Sequence, residues 1–203
     1  VATLLLLAGC GSPEKRAALW EWVSLYADDI ASGEEFQIPE TFVDSDGTEH
    51  AFLAAFVKEV KGFRIGDPQA DATYIGPLTR APQLKVLEQQ VADARRKGAK
   101  VLAGGRRVKA KGNWFEPTVL VGVDHTMSVM REESFGPVIG LMPVRDDAEA
   151  VRLMNDTEYG LTAGVYTRDR KRAQRVLAQV RAGTAYWNCC DRVSPRLPWS
   201  GVG

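Results

Sequence analysis

The stretch "GPVIGLMPVRDDAEAVRLMNDTEYGLTAGVYT", residues 136–167, decides the fold. Its first nine residues, Gly136–Val144, are almost wholly apolar, which reads as a strand buried on both faces. Asp146–Met154 then reads as a helix, opened by Asp146 with Glu149 three residues later in the arrangement of a capping box. A second apolar run, Leu161–Thr167, follows. The alternation continues past the quoted stretch, with a helix over Asp169–Val180 whose face through Val176, Leu177 and Val180 is ended by Gly183. The strand "TAYW", Thr184–Trp187, closes the series. The order is βαβαβ, and apolar strands joined by helices imply an α/β fold with a parallel sheet covered by helices on both faces. Ligands on such sheets usually bind beyond the carboxyl ends of the strands.

Upstream, two amphipathic helices precede this series. Phe52, Leu53, Phe56, Val57 and Val60 recur at helical spacing before Gly62. A second helix runs from Thr79, with Pro82 in its first turn, through Leu84, Leu87, Val91 and Ala94 to Gly98. "KVLAGG", from Lys100, reads as a strand, and "NWFEPTVLVGV", from Asn113, as a strand region interrupted by Pro117. Farther upstream, "PEKRAALWEWVSLYADDI" at 13–30 suits a helix with Ala18, Leu19, Trp22, Leu25 and Tyr26 on one side. The turn-rich stretch after it holds a short strand at Phe42 and Val43. Two parts follow: an atypical segment over 1–47 and a patterned portion over 48–203.

The composition excludes several classes. The 203 residues carry 26 Lys+Arg against 26 Asp+Glu, so a core is affordable in length and no electrostatic footprint for nucleic acid exists. The basic run at residues 168–172 reads as a solvated helix start. Cys10, Cys189 and Cys190, with only His50 and His125 besides, give neither a disulfide framework nor a metal-ligand spacing. "VATLLLLAGC" at the start resembles a lipoprotein cleavage box ending at Cys10, which would be lipidated. It lacks the basic region of an export signal, so the alternatives are a cytoplasmic protein with an apolar first segment and an exported lipoprotein.

"REESFGPVIG", Arg131–Gly140, sets Glu132 and Glu133 where a buried strand is about to begin. Carboxylates there need a partner or water. Either the loop is exposed and merely acidic, or a carboxylate is held at the strand's start to accept hydrogen bonds from a ligand's hydroxyls. A series of motifs bears on the choice: "GDP" at 66–68, "IGPL" at 75–78, "GAKVLAGG" at 98–105, "FEPTVL" at 115–120 and "REESFGPV" at 131–138. "NDTEYGLTAGVYT" at 155–167, "AGTAYWN" at 182–188 and "LPWSG" at 197–201 complete it. In this order and spacing, over Phe52 to Gly201, the series resembles the C-terminal part of the catalytic domain of the NAD(P)-dependent aldehyde dehydrogenases.

What the resemblance implies is specific. In the family's Glu-x-Phe-Gly-Pro motif the glutamate hydrogen-bonds the nicotinamide-ribose hydroxyls and the phenylalanine packs by the nicotinamide, which by position are Glu133 and Phe135. The physics agrees, because a carboxylate only accepts and suits a vicinal diol, and an aromatic face suits a flat heterocycle. Read without the family, Phe135 is a core residue and Glu132 a solvated or Arg-paired charge. Asp191, Val193 and Trp199 fall at positions of the substrate tunnel. An indole there favours apolar or aromatic aldehydes, unless Trp199 is simply packed beneath a turn. Asn155 and Tyr159 read as helix-end and turn residues, with Gly160 supplying the turn.

The resemblance also implies oxidation of an aldehyde to a carboxylic acid with NAD or NADP, by dimers or tetramers. That chemistry needs a cysteine nucleophile and a glutamate base. "ASGEEFQIPETFV", Ala31–Val43, lies where the family's nucleophile motif falls and holds no cysteine. Leu7 would stand at the base position, and Cys189 and Cys190 read as bystander thiols, so the catalytic residues are unassigned. A piece of a longer enzyme, a degenerate copy and a non-catalytic binding module are the three expectations, and no metal enters any of them.

Overall fold

The computed structural model describes residues 5–8, 47–167, 169–188 and 199–202. Cys10, Cys189, Cys190, Asp191 and Val193, the helix read over 13–30 and the strand at Phe42 and Val43 lie outside the described residues. The elements in chain order are β1 (Leu5–Ala8), α1 (Gly47–Gly62), α2 (Ala81–Arg96), β2 (Lys100–Ala103), β3 (Thr118–Val121) and α3 (Ser128–Arg131). They continue with β4 (Val138–Val144), α4 (Asp147–Met154), β5 (Thr162–Val165), α5 (Arg170–Leu177) and β6 (Thr184–Trp187). The class is α/β, as read from the sequence. The chain divides into two compact units, built mainly on Val57–Met142 and on Pro143–Gly203.

The strands form a sheet of order β1-β4-β3-β2 and a pair β5-β6. The β3–β4 and β5–β6 pairs are parallel, with Leu120 opposite Gly140 and Gly164 opposite Tyr186. Strand β2 joins antiparallel to β3, which the reading by alternation did not anticipate. Its cause is the connection. Residues 104–117 contain no helix and fold back on themselves through an Arg107–Phe115 bridge, whereas a parallel neighbour is usually reached through a crossover helix. The βαβαβ elements of the last third are present, with β4 in the larger sheet and β5 and β6 paired to each other.

In the first unit α2 lays Leu84, Leu87, Val91 and Ala94 onto the core, the four positions that its periodicity marked. Leu84, Leu87 and Val91 pack with Phe115, while Ala94 packs with Leu120, Met127 and Met130. Pro82 sits in the first turn, where a missing N–H breaks no bond. The far end stops for an equally local reason. Gly98 takes φ 101°, and its N–H donates to Arg95 O at 3.1 Å while that of Ala99 donates to Ala94 O at 3.0 Å. This pair of bonds is a Schellman motif, for which glycine is the least strained residue. Pro117 ends the irregular arm just before β3, whose Thr118, Val119 and Leu120 are all buried.

In the second unit α4 and α5 are each capped by an aspartate. Asp146 accepts the N–H of Glu149 at 2.8 Å, and Asp169 that of Arg172 at 3.0 Å. Glu149 reaches one residue farther back than a capping box requires, and its carboxylate accepts the backbone N–H of Arg145 at 2.9 Å. Helix α5 ends at Leu177, before the Val180 expected from the pattern, because Gln179 and Val180 donate to Val176 O and Leu177 O in tighter turns. Asn155 then ties the two helices together: its Nδ2 donates to Gln179 O at 2.9 Å and its Oδ1 accepts Arg181 N–H at 2.7 Å. Arg172 Nε adds a 2.9 Å ion pair to Asp147.

Glycines let the segment 199–202 come against this unit. Gly160 O accepts N–H groups from Gly183 at 2.8 Å and from Val202 at 3.1 Å. A Cβ on Gly183 would stand 1.6 Å from Ser200 O, and one on Gly160 2.1 Å from Val202 O. Both obstacles are backbone atoms, which cannot rotate away. Gly183→Ala is therefore expected to lower stability by about 2 kcal/mol or more, at the upper end of overpacking costs. Gly62→Ala, with nothing within 4 Å, is expected to leave the urea midpoint unchanged or raise it, and the two midpoints check the contrast.

The Arg145 guanidinium, foremost, and its backbone N–H hold the Glu149 carboxyl well below its ordinary 4.5, at about 2. A depressed folded value stabilises the fold above the unfolded value and ceases to do so as pH falls through the folded one. The difference in urea midpoint between the wild type and Glu149→Gln is thus expected to be constant above about pH 5 and to shrink progressively as pH falls from about 4.5 to about 2. A difference undiminished at pH 2 refutes the assignment.

Candidate functional site

The segment from Glu132 to Pro137 joins α3 to β4. Because the parallel register aligns Thr118 with Val138, the segment lies at the amino ends of β3 and β4. The general rule for parallel sheets pointed to the carboxyl ends, so the candidate cofactor residues stand at the opposite end. The reason is sequential: they precede β4, and the run from Gly122 to Pro137 that returns the chain to the start of the sheet delivers them there.

Four contacts fix the segment's backbone. Glu132 N–H donates to Ser128 O at 2.8 Å and closes α3. Gln83 Nε2, from the first turn of α2, donates to Ser134 O. Thr118 N–H donates to Pro137 O at 2.8 Å. Gly136 rests on α2, where an added Cβ would meet Leu87 Cδ1 at 2.5 Å and Cδ2 at 2.9 Å. Leu87 is fully buried, so it has no room to yield.

On this frame Glu132 is exposed, which agrees with the solvated reading, while Glu133 is half-buried. Phe135 is 66% exposed, which overturns the core reading of that residue. It also holds φ at 43°, a conformation costly for a bulky side chain and kept only where the surroundings impose it. The imposing surroundings are the Gln83 tether on one side and the Gly136–Leu87 contact on the other. The outcome is an acceptor-only carboxylate and an aromatic face, two residues apart, on a loop with a fixed backbone. These residues fit the nicotinamide-ribose end of NAD or NADP, which has a vicinal diol to donate and a flat ring to stack.

Asp93, on α2, also reaches this region. Its Oδ2 accepts the backbone N–H of Ser128 at 3.0 Å and Lys97 Nζ at 2.9 Å, and its Oδ1 accepts Arg96 Nη2 at 3.1 Å. The Ser128 N–H, with Lys97 next, lowers its carboxyl from 3.8 to about 2. The roles of Gln83 and Asp93 were missed by sequence reading. Asp93 is visible there only as the start of i,i+3 and i,i+4 pairs with Arg96 and Lys97, and nothing local announces a residue 35 positions away.

Trp199 belongs to the other unit, where it is 42% exposed and next to the Ser200 carbonyl that covers Gly183. Exposure to that degree disagrees with simple packing beneath a turn. Asn155 is the C-cap of α4, as expected, while Tyr159 and Gly160 lie in irregular backbone with no turn assigned to them. Asn188 holds φ at 47° and gives both amide atoms to Thr167, accepting its N–H at 2.8 Å and donating to its carbonyl at 3.1 Å. Among the described residues no group of three His, Cys, Asp or Glu side chains is placed to hold a metal ion.

Gly136→Ala is expected to cost about 1–3 kcal/mol, the range for overpacking a filled core. It should also raise proteolytic cleavage after Phe135 relative to Gly62→Ala. Chemical denaturation with chymotrypsin digestion checks both, and an unchanged midpoint contradicts the Leu87 contact.

A family model described as the aldehyde dehydrogenase family matches residues 37–203. A betaine aldehyde dehydrogenase of Cereibacter sphaeroides is 36% identical over 156 residues, which is 77% of this chain and 32% of the relative. The crystal structure of Staphylococcus aureus betaine aldehyde dehydrogenase in complex with NAD+ is similar at TM-score 0.73 and 31% identity, over 76% of this chain and 31% of that one. An NADP dependent enzyme of E. coli is similar at TM-score 0.74 and 34% identity, over 77% of this chain and 33% of that one. The chain thus spans about a third of the length of the curated relatives it matches. With the motifs in family order and the fold shared at this identity, the chain belongs to the aldehyde dehydrogenase family.

Proposed function

We propose that the chain supplies the nicotinamide-facing wall of a site that oxidises an aldehyde to a carboxylic acid with NAD or NADP. The observation that carries the reading is the Glu132–Pro137 loop, whose fixed backbone leaves Phe135 66% exposed beside a half-buried Glu133. When bound, the dinucleotide supplies the hydride acceptor. Glu133 accepts the ribose hydroxyls, and its charge makes those bonds stronger than an amide's. Phe135 offers its face to the ring and excludes water from that side. One similar structure is titled as an NAD+ complex and another as an NADP dependent enzyme, so both cofactors stay within the proposal.

Asp191, Val193 and Trp199 are the proposed tunnel residues. The indole suits apolar or aromatic aldehydes. It equally suits the quaternary ammonium of betaine aldehyde, the substrate in the relatives' names. Residues 48–203 carry this chemistry and 1–47 form a segment of separate character. A cytoplasmic homo-oligomer is the proposed setting, with the Cys10 box as the export alternative. Among the described residues no helix is long and apolar enough to cross a membrane. The absence of cysteine from Ala31–Val43 favours a second reading, a cofactor- or ligand-binding module without turnover.

Formation of NADH or NADPH by the purified 203-residue chain, with aliphatic, aromatic and betaine aldehydes and a boiled control, separates the two. Turnover abolished by thiol alkylation makes one of the three cysteines the nucleophile. A folded chain that binds NADH without turnover is the binding module. In either case Glu133→Gln is expected to weaken NADH binding about threefold to tenfold, the loss of a charge-assisted acceptor. Equal affinity in the variant removes Glu133 from the site.

A further inference from the structure

We infer that Asp93 is a positioning residue for the nicotinamide-ribose contact, capping α3 from a different helix and so setting where Glu133 stands. The inference rests on the reading of Glu133 and Phe135 given above. Helix α3 is a single turn, Ser128–Arg131, far too short to form by its own propensity. Its first N–H groups need acceptors from outside the helix. A local Ser, Thr, Asp or Asn usually provides one. Here the N-cap is Met127, which makes no side-chain cap bond. Asp93 Oδ2 takes the Ser128 N–H at 3.0 Å instead.

The carboxylate is itself held. Lys97 Nζ lies 2.9 Å from the same oxygen and also donates to Thr126 O, so the turn before α3 and the helix itself are fastened to one face of α2. That turn is already shaped by Asp124, which accepts Thr126 N–H at 2.7 Å. From the capped Ser128, α3 leads directly to Glu132, whose N–H closes the turn on Ser128 O at 2.8 Å, and the next residue is Glu133. Gln83 and Gly136 secure the far side of the loop at Ser134 and Leu87. The near side, which bears Glu133, depends on α3. Loss of the cap therefore displaces Glu133 more than Phe135.

The test compares Asp93→Ala, Asp93→Asn and Asp169→Ala, the last of which removes the local cap of α5 in the other unit. Two readouts are taken: amide hydrogen exchange of the peptide over residues 128–135, and NADH affinity by fluorescence. Asp93→Ala is expected to speed exchange there about tenfold over Asp169→Ala and to raise the NADH Kd about fivefold. Asp93→Asn, which keeps an oxygen acceptor for Ser128, is expected to rescue part of both, and it keeps the test open if the alanine variant fails to fold. Equal exchange in the Asp93 and Asp169 variants, with NADH binding intact, overturns the role of Asp93. A wild-type chain that binds no NADH while the exchange contrast persists overturns the cofactor reading instead and reduces Asp93 to a local cap.

Discussion

A hydrogen atom is all that fits between the backbone at residue 136 and the side chain of Leu87, whose Cδ1 would lie 2.5 Å from any Cβ added there. Leu87 in turn is fully enclosed by the cluster that includes Leu84, Val91 and Phe115. The close approach sets how deep the chain enters β4, and it does so from a side chain buried in the core of the first unit. Pro137 O then accepts Thr118 N–H at 2.8 Å, which starts the β3–β4 register. Packing of one helix residue thereby fixes both a sheet and the loop that precedes it.

Strain at Phe135 follows from that constraint. With Ser134 O held by Gln83 and Gly136 pressed to α2, the residue between them turns through φ 43° and its ring is left outside. Burying an aromatic side chain of this size would contribute about 1.5–3 kcal/mol, so leaving it out and bending its backbone are both unfavourable to the isolated fold. An unfavourable arrangement maintained by two separate contacts is the usual mark of a surface shaped for a ligand.

The second unit reaches order by other means. Among its described residues the buried apolar side chains include Ala150, Val151, Leu153, Ala173 and Val176, and a two-stranded sheet is marginal by itself. Polar side chains that bond the backbone supply the cohesion. Asn155 links α4 to the turn after α5, and Asn188 and Trp187 close on Thr167. Close backbone approaches at Gly160 and Gly183 bring in residues 199–202. Such contacts are directional, and the backbone atoms of Val202 and Ser200 leave no room for a Cβ at Gly160 or Gly183.

Elements whose cause is local were legible in the amino-acid sequence. The periodicity of Leu84, Leu87, Val91 and Ala94 defined the buried face of α2, Gly98 its end, and Asp146 and Asp169 the starts of α4 and α5, because caps and faces act within a few residues. The motif order identified the family, and the proposal of Glu133 and Phe135 as cofactor contacts came with it. Contacts between distant positions were not legible. Nothing within α2 announces that Asp93 caps α3, that Gln83 holds Ser134, or that β2 runs antiparallel. The end of the sheet that carries the loop was likewise decided by the path of the chain. Local pattern encodes which segments form and which faces they bury. Where those faces meet, and so which side chains are left exposed to a ligand, is a property of tertiary packing, in which one missing Cβ at residue 136 counts for as much as the charge at residue 133.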